Sequence, residues 1–225
     1  MAGQYPEIIT RITAADEPEI DVSGDYKQAL DHLLHQGREY ATAQRERERF
    51  IVSNIEPELE RLMKERPELM QKPELNILLS MGELHATLAR DIRQSGLGLP
   101  VRSALLTSYE PTPHQRLASE LMWGLEPDEA LQARVLMQEL LDAQLMDHAP
   151  MTPEQFSQFE FSSLGTYFSG IADHFSSAEI EELFKAHKDG TLTTEAFDTA
   201  LKVKHLPSIP TSFDELNQAI LALAA

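Results

Sequence analysis

From Asp25 onward the apolar residues of this chain recur at intervals of three and four, and that period restricts the fold more than any other feature. Tyr26, Leu30, Leu33, Leu34, Tyr40 and Ala41 fall on one face of a helix, because a helical turn takes 3.6 residues. The run Gln44-Arg45-Glu46-Arg47-Glu48-Arg49 follows, with opposite charges among its i, i+3 and i, i+4 neighbours, and Phe50, Ile51 and Ile55 resume the stripe. The run reads as a solvated helix face; it is a poor nucleic-acid patch, because each Arg sits beside a Glu. Further helical patterns cover residues 74–95, 101–109, 113–124, 127–148 and 153–173. Only the first 24 residues and a few near Thr191 have any strand character, so an all-α fold is expected.

Proline punctuates these patterns. Pro57-Glu58-Leu59, Pro67-Glu68-Leu69 and Pro73-Glu74-Leu75 each predict a helix start or restart, since a first-turn N–H has no partner to lose and a following Glu complements the positive end of the helix. Thr112-Pro113, Glu126-Pro127-Asp128-Glu129 and Thr152-Pro153-Glu154 repeat this grammar. Gly96-Leu97-Gly98-Leu99-Pro100 is the clearest loop. It divides an N-terminal helical hairpin region, 25–96, from a C-terminal helical bundle, 101–225, although one continuous domain is equally compatible. Residues 1–24, with Pro6 and Pro18 among Ile8, Ile9, Ile12, Ile20 and Val22, read as an extended arm: a flexible terminus, a strap over its own fold, or a segment that orders on a partner. At the other end, Ser176 to Phe197 predicts a helical hairpin turning at Gly190, with Thr193 or Thr194 capping its second helix. A linker from Pro207 to Pro210 precedes a last helix, Phe213 to Leu223.

Composition narrows the function classes. The 225 residues include 37 acidic and 19 basic side chains, a formal charge of −18, and no cysteine. At 42% hydrophobic, the chain has enough apolar content to offset chain entropy in a packed fold. Without cysteine there are no disulfides, thiolate metal sites or cysteine nucleophile. The excess of acid falls mainly beyond residue 100, which repels polyanions, so no direct nucleic-acid binding is expected and a basic protein partner fits better. No apolar run reaches the roughly 20 residues that span a bilayer, and the opening residues lack a basic flank and apolar stretch. A cytoplasmic location is expected, specialised secretion remaining compatible.

Motifs that carry chemistry are sparse. The hairpin around Lys188-Asp189-Gly190 resembles the trailing half of an EF-hand, but with Gly190 at loop position 6, Lys185, His187 and Ala196 occupy positions 1, 3 and 12, where oxygen ligands belong. It is equally similar to short bacterial helical hairpin modules of the SHOCT type, a resemblance that implies an interaction role. Asp31, His32, His35 and Glu39 have a spacing that could bring two imidazoles and a carboxylate to one metal. Leu33 and Leu34 take the core direction, however, so the histidines are expected to face solvent. No nucleophile elbow, phosphate loop or paired Glu-x-x-His motif is present. No catalytic, cofactor or metal residue is therefore assigned.

The aromatic stretch Phe156 to Phe175 holds six of the 15 aromatic residues. Leu164, Tyr167, Phe168, Ile171 and Phe175 form a helical stripe expected in the core, while Ser162, Ser163, Gly165, Ser169 and Gly170 permit close helix approach. Trp123 is read as a core tryptophan before a helix end, with an interface anchor as its functional alternative. The partner-binding candidates are Ile8, Ile9, Ile12, Trp123, Phe156, Phe159 and Phe161. The expected function is a non-enzymatic, acidic, helical protein–protein interaction factor: an adaptor, chaperone-like or regulatory protein, with homo-oligomers compatible. Two alternatives stand beside it. One is an acidic mimic that fills the nucleic-acid groove of a basic protein, charged by the three basic and ten acidic residues of 101–160. The other is a helical-bundle enzyme with a pocket near Tyr167 or His174.

Overall fold

Asp25 starts the first helix in a computed structural model of the chain, which describes residues 24–71, 87–102, 111–148 and 161–223. Its side chain accepts from the Gln28 N–H and the Gln28 side chain returns a bond to the Asp25 N–H, both at 2.9 Å, so two donors left over at a helix start are satisfied reciprocally. The helix, α1, runs Tyr26–Glu65, about 60 Å at 1.5 Å per residue. A 3-10 turn at Pro67–Gln71 follows. Then come α2 (Leu88–Gln94), α3 (Pro113–Trp123), α4 (Glu129–His148), α5 (Phe161–Ala172), α6 (Ser177–Lys188), α7 (Thr194–Val203) and α8 (Phe213–Leu223). The architecture is all-helical, with no strand among the described residues.

The caps follow local chemistry. Thr112 and Gln115 form a reciprocal box with Pro113 in the first turn of α3, and Ser176 and Glu179 do the same for α6. Thr193 caps α7 by accepting from the Ala196 N–H at 3.2 Å. For α4 the cap is Asp128, whose Oδ1 accepts from the Leu131 N–H at 2.7 Å, so the helix starts two residues after Pro127. Gly190, at φ +68°, makes the left-handed turn of the α6–α7 hairpin. The Thr191 and Leu192 N–H groups then close onto the Ala186 carbonyl.

Helix α4 is the axis of the bundle. Leu131, Ala133, Val135, Leu136, Met137, Leu140, Leu141 and Leu145 are all buried, too many for a single face, which a helix packed on several sides requires. It packs against α1, α3, α5 and α6, and α5 packs in turn on α8. The stripe Leu164, Tyr167, Phe168, Ile171 and Phe175 lies in this core. Gly170 lets α5 approach α8: a Cβ there would sit 3.3 Å from Leu223 Cβ. Ser169 donates to the Pro111 carbonyl at 2.8 Å, tying α5 to the start of α3.

Three expectations change. Pro57 does not restart a helix: α1 passes through it to Glu65. Proline costs a helix interior one hydrogen bond, but Ser53, whose carbonyl loses that bond, is exposed, and no residue from Phe50 to Glu65 is buried. Solvent can satisfy the carbonyl there. The Arg-Glu run is not a solvated face, because Gln44 is 4% exposed and Glu48 has no exposure. They continue the stripe of Leu33, Gly37, Tyr40 and Ala41 at helical spacing, and Glu48 meets Thr87 at the start of α2. Trp123 is not a core residue, being 46% exposed at the last position of α3. The patterns at 74–95, 101–109 and 153–173 are described only in part: α2 and α5 lie within the first and third, Val101 and Arg102 are non-helical, and Pro73 and the Thr152-Pro153-Glu154 start lie outside the described residues.

Candidate functional site around Trp123

The end of α3 is held by three independent devices. Gly124 adopts φ +77°, and the Leu125 N–H reaches back to the Glu120 carbonyl at 2.9 Å, the hydrogen bond of a Schellman termination. Arg45, from the middle of α1, donates through Nε to the Met122 carbonyl at 2.7 Å and through Nη2 to the Leu121 carbonyl at 2.5 Å. Its charge thus lies on the negative end of the α3 dipole. Arg38 and Glu126 form an ion pair at 2.7 Å just beyond the turn. The indole of Trp123 projects from this frame, and Leu125 beside it in sequence is 56% exposed.

The Arg90 guanidinium of α2 stands 4.6 Å above the Trp123 ring, a cation–π contact. Its Nε ion-pairs with Asp91 Oδ1 at 2.9 Å. Behind this rim runs a polar seam between α1 and α2. Thr87 and Glu48, both without exposure, are joined by a bond from the Thr87 hydroxyl to the Glu48 carboxylate. Asp91 Oδ2 lies 3.4 Å from the same hydroxyl. Gln44 donates to the Tyr40 hydroxyl at 2.9 Å and accepts from Arg47 at 3.2 Å.

Two carboxyls with altered acidity sit elsewhere, on α4. Burial, and then the neighbouring Asp142 charge, raise Glu139 to about 7; burial also raises Asp142. Tyr26 is pushed up to about 12 by burial, then by Glu129 and Glu181. None of these stands in a hydrogen-bonded arrangement of nucleophile, base and orienting group among the described residues. Tyr167 is fully buried against Phe168, whereas His174 is exposed on the turn after α5.

The remaining candidates separate. Ile8, Ile9, Ile12, Phe156 and Phe159 lie outside the described residues, and Phe161 is the first residue of α5. Trp123 is thus the one partner-binding candidate whose side chain is among those described. His32 and His35 face solvent, with His35 Nε2 3.5 Å from Glu39 Oε1. No group of three or more metal-ligating side chains is assembled among the described residues, and no helix there is long and apolar enough to cross a membrane. Sequence reasoning missed Arg45, Arg90, Glu48 and Thr87. The i, i+4 spacing of Tyr40, Gln44 and Glu48 was the available signal, obscured by their polarity. Compared with protein-family models, curated proteins and solved structures, the chain matches none.

Proposed function

We propose that the chain is a non-enzymatic protein–protein interaction factor and that the end of α3 is a face by which it holds a protein partner. The observation that carries this reading is the exposure of Trp123, 46%, on a rigid frame. Isolated exposed apolar side chains are ordinary. A tryptophan is different when its backbone is fixed by a Schellman turn and an arginine fork and a second arginine stacks on its ring. Little side-chain entropy remains to be lost on docking, and Trp and Arg are the residue types that dominate interface energetics. An adaptor or regulatory role follows from such a face; the charge of −18 favours partners with a basic rim and speeds their encounter.

Site-specific photocrosslinking in the source cell tests it. A photoreactive phenylalanine analogue at position 123 should yield one discrete heavier species, while the same analogue at exposed Glu195, on α7, should not. Adducts absent from position 123, or identical at both positions, would count against this face. Persistence of the recovered complex at high salt separates an apolar interface from charge mimicry of a nucleic acid, which salt screens.

A further inference from the structure

We infer that the partner held at the end of α3 presents a carboxylate, from an Asp or Glu beside an apolar side chain, and that Arg90 is the group that selects it. The inference deepens the reading of Trp123 given above and rests on it.

The setting of Arg90 is that of a receptor for such a group. A guanidinium carries its N–H donors in a rigid planar fork. Here Nε is committed to Asp91 Oδ1 at 2.9 Å, whereas neither Nη gives a hydrogen bond or ion pair to a described residue. Glu120, one turn before Trp123 on α3, is not paired with it. Two contacts hold the group in place: the Nε bond fixes one edge, and the Trp123 ring centroid lies 4.6 Å from the guanidinium carbon. The Nη edge is thereby oriented, and at 35% side-chain exposure it is open to a partner. Rotamer freedom that a lone surface arginine would lose on binding is already restricted. A carboxylate accepts two parallel N–H bonds from such an edge, and these charge-assisted bonds are about twice as strong as neutral ones.

The neighbours of Arg90 define the rest of the partner's chemistry. The exposed indole beside the guanidinium, with exposed Leu125 two residues on, is an apolar surface, which an aliphatic or aromatic side chain next to the carboxylate would cover. Asp91 already offsets part of the arginine's charge, and the whole chain carries −18. A singly charged carboxylate is accepted there, where a phosphate dianion would be repelled. The basic rim favoured by the field of the whole chain acts at long range and the arginine acts at contact, so the two requirements fall on different residues of the partner.

Selection from a random peptide library on the immobilised full-length chain tests the inference, with the Trp123→Ala and Arg90→Gln chains as parallel baits. Peptides retained by the unaltered chain should carry Asp or Glu next to Leu, Ile, Phe or Met, and Trp123→Ala should retain none of them. Binding of one such synthetic peptide, read from the fluorescence of Trp123, the only tryptophan, then completes a double-mutant cycle. Replacing the peptide's acid by its amide should weaken binding to the unaltered chain about tenfold, and to Arg90→Gln by less than about twofold. Arg90→Lys, which keeps the charge and loses the fork, should behave like Arg90→Gln. Additive losses in the cycle overturn the inference. So does a selection in which the unaltered and Arg90→Gln chains retain the same peptides, or none. An Arg90-dependent preference for acid beside a failed crosslink at position 123 removes the docking face alone; a crosslink beside peptides indifferent to Arg90 removes the carboxylate alone.

Discussion

Gly37 is the point where α1 meets α3, and its lack of a side chain sets their separation. A Cβ there would stand 2.7 Å from Leu117 Cδ2 and 2.9 Å from Leu121 Cδ1, and both leucines are buried. Gly37→Ala would gain about 1 kcal/mol of helix propensity. It would also force two buried leucine side chains to shift, at about 2–3 kcal/mol. The expected net effect is a loss of about 1–2 kcal/mol, read as a lower urea midpoint; a stabilised variant would show that the contact relaxes freely. His205 offers the opposite case. It holds φ +60° at the end of α7, where the Leu206 N–H bonds back to the Leu201 carbonyl, a position glycine occupies without a Cβ penalty. His205→Gly should raise stability by about 0.5–1 kcal/mol, and an unchanged or lower midpoint would contradict that assignment. Local chemistry of this sort is legible in sequence. Thr112, Ser176, Thr193 and Gly190 announce their roles because a cap or turn depends on neighbours three or four residues away. Glu48 and Trp123 do not, since their burial or exposure is decided by helices distant in the chain.

At the scale of elements, α1 is two objects joined end to end. Residues up to Glu48 contribute the buried positions, whereas Phe50 to Glu65 contain none. The distal half is supported by its own surface pairs, Arg61 bridging Glu58 at 2.8 Å and Glu65 at 2.7 Å, each worth only a few tenths of a kcal/mol. Pro57 therefore sits where an interrupted ladder does the bundle least harm. Pro57→Ala should increase amide protection across 54–65 while leaving the global thermal midpoint within about 2 °C, because the gain lies in a segment weakly coupled to the core. A rise in the global midpoint equal to the local gain would show instead that the distal half unfolds with the bundle. The periodic pattern that predicts α1 does not reveal this division. Ile51, Ile55, Leu59 and Leu62 repeat as regularly as Leu30 and Leu33, and spacing records which residues share a face without recording what the face meets.

For the whole molecule, the central position of α4 makes its carboxyls the groups through which pH reaches the fold. Glu139 has an ordinary value of 4.5 in an unfolded chain and about 7 in the folded one, because burial and the Asp142 charge disfavour its ionised form. Between those values the folded protein holds a proton that the unfolded chain has released. Stability therefore falls as pH rises from 4.5 toward 7, and the whole penalty is present above 7. Asp142, also raised by burial, acts in the same direction. Glu179 acts in the other: Lys204 and the Ser176 cap lower it to about 2, so its contribution is present above 4.5 and is lost as pH falls toward 2. The two groups act with opposite signs and in separate windows, Glu139 between 4.5 and 7 and Glu179 below 4.5. Glu139→Gln keeps the shape and removes the charge. It should stabilise the protein by about 1–2 kcal/mol at pH 8, a figure reduced for partial exposure, and leave it unchanged at pH 4, where the native carboxyl is already neutral. Urea midpoints at pH 4, 6 and 8 decide the matter, since an increment constant across the three would mean that the glutamine acts through packing and that the charge of Glu139 opposes nothing.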